Sequence, residues 1–224
     1  MNTPTTQAVP AATLKIDFVS DVSCPWCIIG LKSLEQALDR IGGQVKTELH
    51  FQPFELNPNM GSEGQDITEH LAEKYGASAE QSERNREAIR ARGAAVGFSF
   101  NMEKRGRIYN TFDAHRLLHW AELEGKQHAL KNALFEAYFT NGQDPSSHQV
   151  LLAVVEQVGL DRARALQILS SDEYAQDVRL QEQFYLNSGV NSVPAVIIND
   201  KHLISGGQPV EVFERALRQI AAGN

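Results

Sequence analysis

Both cysteines of this 224-residue chain fall in one short stretch, Cys24-Pro25-Trp26-Cys27. Two thiols three positions apart suit half of a zinc site, a short disulfide staple, or a redox pair. A structural zinc site takes four ligands, and no second cysteine pair exists. His115 and His119, four residues apart on one helical face, would have to complete the set, and the amphipathic pattern there accounts for them without a metal. A staple across so short a loop constrains the unfolded chain little, because the effect grows with loop length. The redox reading is favoured because each of its physical requirements is met. Cys24 stands before a helix that begins at Pro25, where unpaired N–H groups and the positive end of the macrodipole favour a thiolate. A second thiol one turn on can resolve a mixed disulfide. Pro25 in the first helical position gives up no hydrogen bond. Trp26 is expected to be partly exposed between the thiols, where it contacts a partner and controls access.

These thiols need a frame. Residues 14–19, LKIDFV, alternate apolar and polar as a strand does. Ile28, Leu31, Leu34, Leu38 and Ile41 recur at helical spacing up to the stop at Gly42-Gly43. Alternation returns from Val45 to Pro53, which completes a strand–helix–strand unit. From residue 61 to 187 the periodicity is helical, with Ser78 and Gln81 spaced as a capping box. Gly125, Gly159 and Gly189 close successive helices. The last segment predicts two strands, PAVIIN and KHLISG, joined at Asn199-Asp200, then a helix over 209–221 with Pro209 in its first turn. The expected fold is α/β, a central mixed sheet flanked by helices. It is built from 13–60 and 188–224, with 61–187 inserted as a large all-helical block and 1–12 as a disordered leader.

Composition narrows the function. The net charge is −7, with 42% hydrophobic and 22% charged residues, so a nucleic-acid reader is not expected. No apolar run reaches the roughly 18 residues of a membrane helix. The first dozen residues carry neither the basic nor the apolar region of a secretory signal. A cytoplasmic address is therefore expected, where a permanent disulfide is unusual.

A second anchor lies far along the chain, at Ser192-Val193-Pro194-Ala195. A proline there opens a buried strand, where it cannot donate to the ladder. Combined with CPWC it resembles the thioredoxin superfamily, in which such a proline is cis and faces the cysteine pair. The order of SDVSCPWCIIG, FQPFELNPNM, YNTFDAHRLLHWA, LFEAYFTNGQD, GVNSVPAVIIN and ISGGQPVEVF is similar to the FrnE-like branch of the DsbA family, from Leu14 to the C-terminus. The resemblance implies a thioredoxin fold and thiol–disulfide oxidoreductase activity. Cys24 matches the nucleophile, Cys27 the resolving thiol and Pro194 the cis-proline, with the Val193 backbone free to pair with substrate. Two features depart from the branch: an additional cysteine pair of some members is missing, and Ala195 stands where many have an aromatic residue.

Further roles stay open. Asp17 lies on the first strand and is a candidate proton acceptor, although its spacing from Cys24 is one residue longer than the thioredoxin pattern and would turn it to the other face. Asp21 is placed to act on the thiols by charge, and His115 to shuttle protons. Two alternatives remain: a kappa-class glutathione transferase or 2-hydroxychromene-2-carboxylate isomerase, and a non-catalytic peptide-binding module. The resemblance implies no cofactor beyond the Cys24–Cys27 disulfide, with glutathione as a candidate reductant or substrate. Expected partners are a protein or small molecule bearing a disulfide or thiol, and an electron donor or acceptor. No heptad or large apolar run selects between a monomer and a homodimer.

Overall fold

The computed structural model describes residues 13–223; the expected leader, 1–12, lies outside them. Four strands form one sheet in the order β2-β1-β5-β6. β1 (Thr13–Ser20) runs parallel to β2 (Lys46–Pro53) and antiparallel to β5 (Ala195–Ile198), which pairs antiparallel with β6 (His202–Ser205). The sheet is therefore mixed, as the sequence pattern implies. Phe18 lies in register with Phe51 on one side and Val196 on the other. The β5–β6 turn is made by Asn199 and Asp200, both at positive φ (52° and 57°), a conformation these two residue types tolerate.

The alternation of β1 divides the interior. Leu14, Ile16 and Phe18 pack with Ile28, Leu31 and Leu34 of α1 (Pro25–Ile41) and with Phe213 and Leu217 of α9 (Val210–Ala221). Each fully buried leucine there contributes about 2 kcal/mol by area removed from water. Val19 points to the other face, toward Tyr185 of α8 (Ala175–Asn187). Pro209 stands one place earlier than expected, as the residue capping α9.

The inserted block, 61–187, contains α2 (Ile67–Tyr75), α3 (Ala79–Ala95), α4 (Phe112–Leu123), α5 (Gln127–Phe135), α6 (His148–Gln157) and α7 (Arg162–Leu169), and α8 ends it. Ser78 and Gln81 form the capping box of α3, with both reciprocal bonds present. The block also carries a two-residue strand pair, β3 (Gln65–Asp66) with β4 (Arg107–Ile108), too short to leave an alternating pattern. A single π turn, Glu136–Thr140, follows α5 and buries Tyr138 and Phe139 side by side. Phe98, Phe100, Phe135 and Phe139 of the block share a core with β1 and α1, so the insertion is packed into the sheet layer.

Candidate active site

Cys24 caps α1 with extended backbone (φ −91°, ψ 114°), and Pro25 follows in the first turn. The loop before it is held by Asp21. This buried carboxylate accepts from the Ser23 amide (3.1 Å), the Ser23 hydroxyl (3.0 Å) and the Leu56 amide (2.7 Å). Burial opposes its charge, but His115 and these amides outweigh burial and keep its carboxyl below the ordinary value. His115 Nε2 lies 3.7 Å from the Asp21 carboxylate, within ion-pair range but beyond a hydrogen bond. Asp21 is thus the anchor of the turn that presents Cys24.

Both thiols are free. The Cys24 sulfur donates to the Val193 carbonyl at 3.7 Å, and the Val193–Pro194 peptide is cis. Glycines let these distant pieces meet. A Cβ at Gly30 would come within 3.1 Å of Pro194 Cγ, and one at Gly207 within 2.9 Å of the Trp26 carbonyl oxygen. Arg92 fixes the same corner, donating to the Gly207 carbonyl (2.9 Å) and lying 6.0 Å from the Trp26 ring. Trp26 is part-buried at the rim.

The two sulfurs have different environments. Cys24 lines a cavity of about 840 Å³ together with Trp26, Ser192 and Val193, walled by α2 and α3. Cys27 is sealed, with no exposed surface. Burial pushes its thiol well above the ordinary value, and Cys24 adds to the rise, while the Lys131 ammonium pulls it down.

Lys131 is the group that sequence reasoning missed. It sits on α5, fully buried, with no hydrogen-bond partner for its amine among the described residues, and its amine lies 5.1 Å from the Phe135 ring. Burial brings it down to about 8, and Cys27, Asp21 and Cys24 oppose that fall in decreasing order. A water-sized cavity joins Lys131 to His115 and His119, whose Nε2 and Nδ1 also lack partners.

Asp17 is placed elsewhere. It is buried on the Val19 face of β1, accepting from Gln52 (2.7 Å) and paired with Lys15 (2.9 Å), away from the α1 face that carries Cys27. Strand parity set this outcome: β1 has no bulge against β2 to reverse the direction of its side chains.

The chain belongs to the DSBA-like thioredoxin domain family, whose model matches residues 15–218. It is similar to the crystal structure of a probable DsbA oxidoreductase, SCO1869, from Streptomyces coelicolor. That match is 31% identical with a TM-score of 0.86, covering 94% of this chain and 91% of the other. An uncharacterized protein of Bacillus subtilis, YwbO, is 27% identical over 92% of this chain and 96% of its own length. A 2-hydroxychromene-2-carboxylate isomerase shares the fold at 17% identity, with a TM-score of 0.73 and coverage of 94% and 97%. Family and fold support thiol–disulfide oxidoreductase chemistry in general. Among the described residues no helix is long and apolar enough to cross a membrane.

Proposed function

We propose that this protein is a dithiol–disulfide exchange enzyme of the FrnE-like type, with Cys24 as nucleophile and Cys27 as resolving thiol. The observation that carries the reading is the asymmetry of the pair: Cys24 lines a cavity at a helix N-terminus while Cys27 is sealed behind it. The Cys24 thiolate attacks one sulfur of a substrate disulfide and releases the other as a thiolate. Cys27 then loses its proton and displaces the second substrate sulfur, closing the Cys24–Cys27 bridge. Two electrons pass to the substrate, and the two protons of the dithiol end on its released thiols. A thiol reductant reopens the bridge for the next cycle. The Val193 carbonyl beside Cys24, in the loop that enters β5, is the backbone group nearest the thiol for an extended substrate segment to pair with.

A sealed thiol needs a proton acceptor to attack. Lys131, brought down to about 8 by burial, has a neutral fraction near neutral pH that takes the Cys27 proton and passes it toward the small cavity shared with His115. In a reducing cytoplasm, the location proposed here, reduction or isomerisation of disulfides is the expected direction.

The reading is tested by insulin reduction with dithiothreitol and by trapping. Cys24→Ser is expected to abolish activity, and Cys27→Ser to accumulate a mixed disulfide on Cys24. Wild-type rates in Cys24→Ser would remove the redox assignment. Glutathione conjugation or isomerisation that survives both substitutions would favour a kappa-class activity instead.

A further inference from the structure

The cavity beside Cys24 is cationic, although the chain as a whole carries a charge of −7. Three basic side chains line it, Lys74, Arg86 and Arg105, against one carboxylate, Glu55. That carboxylate is already held by Arg179, which bridges it to Glu182. Among the described residues Lys74 donates only to neutral groups, the Leu56 carbonyl and the Asn57 side chain, both at 2.6 Å. Arg86 meets Glu83 loosely, at 3.7 Å.

Arg105 is the informative residue. It is only 9% exposed, and its guanidinium lies 4.9 and 5.0 Å from the rings of Tyr138 and Phe139. One terminal nitrogen donates to the Ser23 carbonyl at 3.4 Å, next to Cys24. Among the described residues its Nε has no partner and no carboxylate pairs with it. Burying a guanidinium without a counter-charge is costly, and a bound anion supplies what the chain leaves out. The cavity volume falls in the range of roughly 300–1,000 Å³ typical of small-molecule sites.

We propose that the cavity takes small disulfides bearing carboxylates, with Arg105 holding a carboxylate so that the sulfur meets Cys24. This assignment rests on Cys24 being the attacking thiol, and it names the class of substrate. The exchange is the one written above. The Cys24 thiolate displaces one small thiolate, Cys27 displaces the other, and two electrons leave the dithiol for the substrate.

The test compares reduction of dithiodipropionate, bis(2-hydroxyethyl) disulfide and cystamine by the pre-reduced protein. These disulfides end in carboxylates, hydroxyls and ammonium groups respectively, and each rate is normalised to that with free dithiothreitol. Wild type is expected to favour the carboxylate over the hydroxyl by roughly tenfold to a hundredfold, the worth of one charge-assisted hydrogen bond, with cystamine slowest. Arg105→Met, which keeps an apolar stem against Tyr138 and Phe139, is expected to reduce that preference to within about twofold. A second measurement needs no variant: adipate is expected to slow alkylation of Cys24 in wild type, whereas hexanediol leaves it unchanged. Equal normalised rates, or no protection by adipate, would overturn this proposal and leave the redox reading standing. Failure to reduce all three disulfides while insulin is still reduced overturns this proposal alone, and failure on insulin as well overturns both.

Discussion

Lys131→Met is expected to make the protein more stable and less active. The amine stands fully buried without a hydrogen-bond partner and is lowered from 10.5 to about 8, first by burial. Between those two values the unfolded chain binds more protons at this amine than the folded one, so its contribution to stability rises with pH. Below about pH 8 both states are protonated, and the folded state carries the full penalty of a buried ammonium. The difference corresponds to about 3 kcal/mol. Methionine, similar in length and apolar, removes that penalty, so at pH 7 the variant gains about 3 kcal/mol, or about 6–12 °C in Tm for a chain of this size. At pH 10 most wild-type amines are already neutral when folded, and the gain shrinks to under about 1 kcal/mol. Urea unfolding of the reduced proteins at both pH values measures it. Resolution of a trapped Cys24 mixed disulfide is expected to slow by roughly a hundredfold at neutral pH, the scale of a lost general base. A gain that is the same at pH 7 and pH 10, or a loss of stability at both, would refute the buried-amine argument. Undiminished resolution would refute the role of Lys131 as acceptor.

Three further outcomes follow from the geometry. Asp21→Asn is expected to cost about 3 kcal/mol at pH 7, since it removes a buried, multiply bonded charge opposite His115. The lowered Asp21 carboxyl stabilises the fold above its ordinary value and loses that effect as pH falls, so wild type and variant should converge in urea titrations on acidification. Gly207→Val is expected to destabilise by about 1–3 kcal/mol and to lower insulin reduction, because a Cβ there meets the Trp26 carbonyl at 2.9 Å. Ser78→Ala should cost about 1 kcal/mol in thermal unfolding through its lost cap.

Local chemistry made much of this fold legible. The apolar stripe of α1, its stop at Gly42, the Ser78 box and the Asn199-Asp200 turn each depend on residues within a few positions of one another. The CPWC motif reads the same way, because a helix N-terminus and a thiol pair are neighbours in the chain. What stayed hidden depends on contacts across the molecule. In KQHALKNALF, Lys131 reads as an ordinary helical lysine, and only the packing of α5 against β2 reveals its burial. Arg105 lies in a stretch without periodicity, and its stacking depends on a π turn that turns Tyr138 and Phe139 inward together. The parity argument for Asp17 held, yet its partners, Lys15 and Gln52, appear only once the sheet register is known. The cavity that His115 shares with Lys131 has no sequence signature.

Equilibrating the protein across a glutathione redox series and counting alkylated thiols by mass spectrometry tests the central claim most directly. Both free thiols, Cys24 and Cys27, are expected to disappear together in one two-electron transition, with a loss of two hydrogens and no bound glutathione at the midpoint. Cys24 and Cys27 alkylating independently at every potential would contradict it, as would glutathione adducts that never resolve into a bridge.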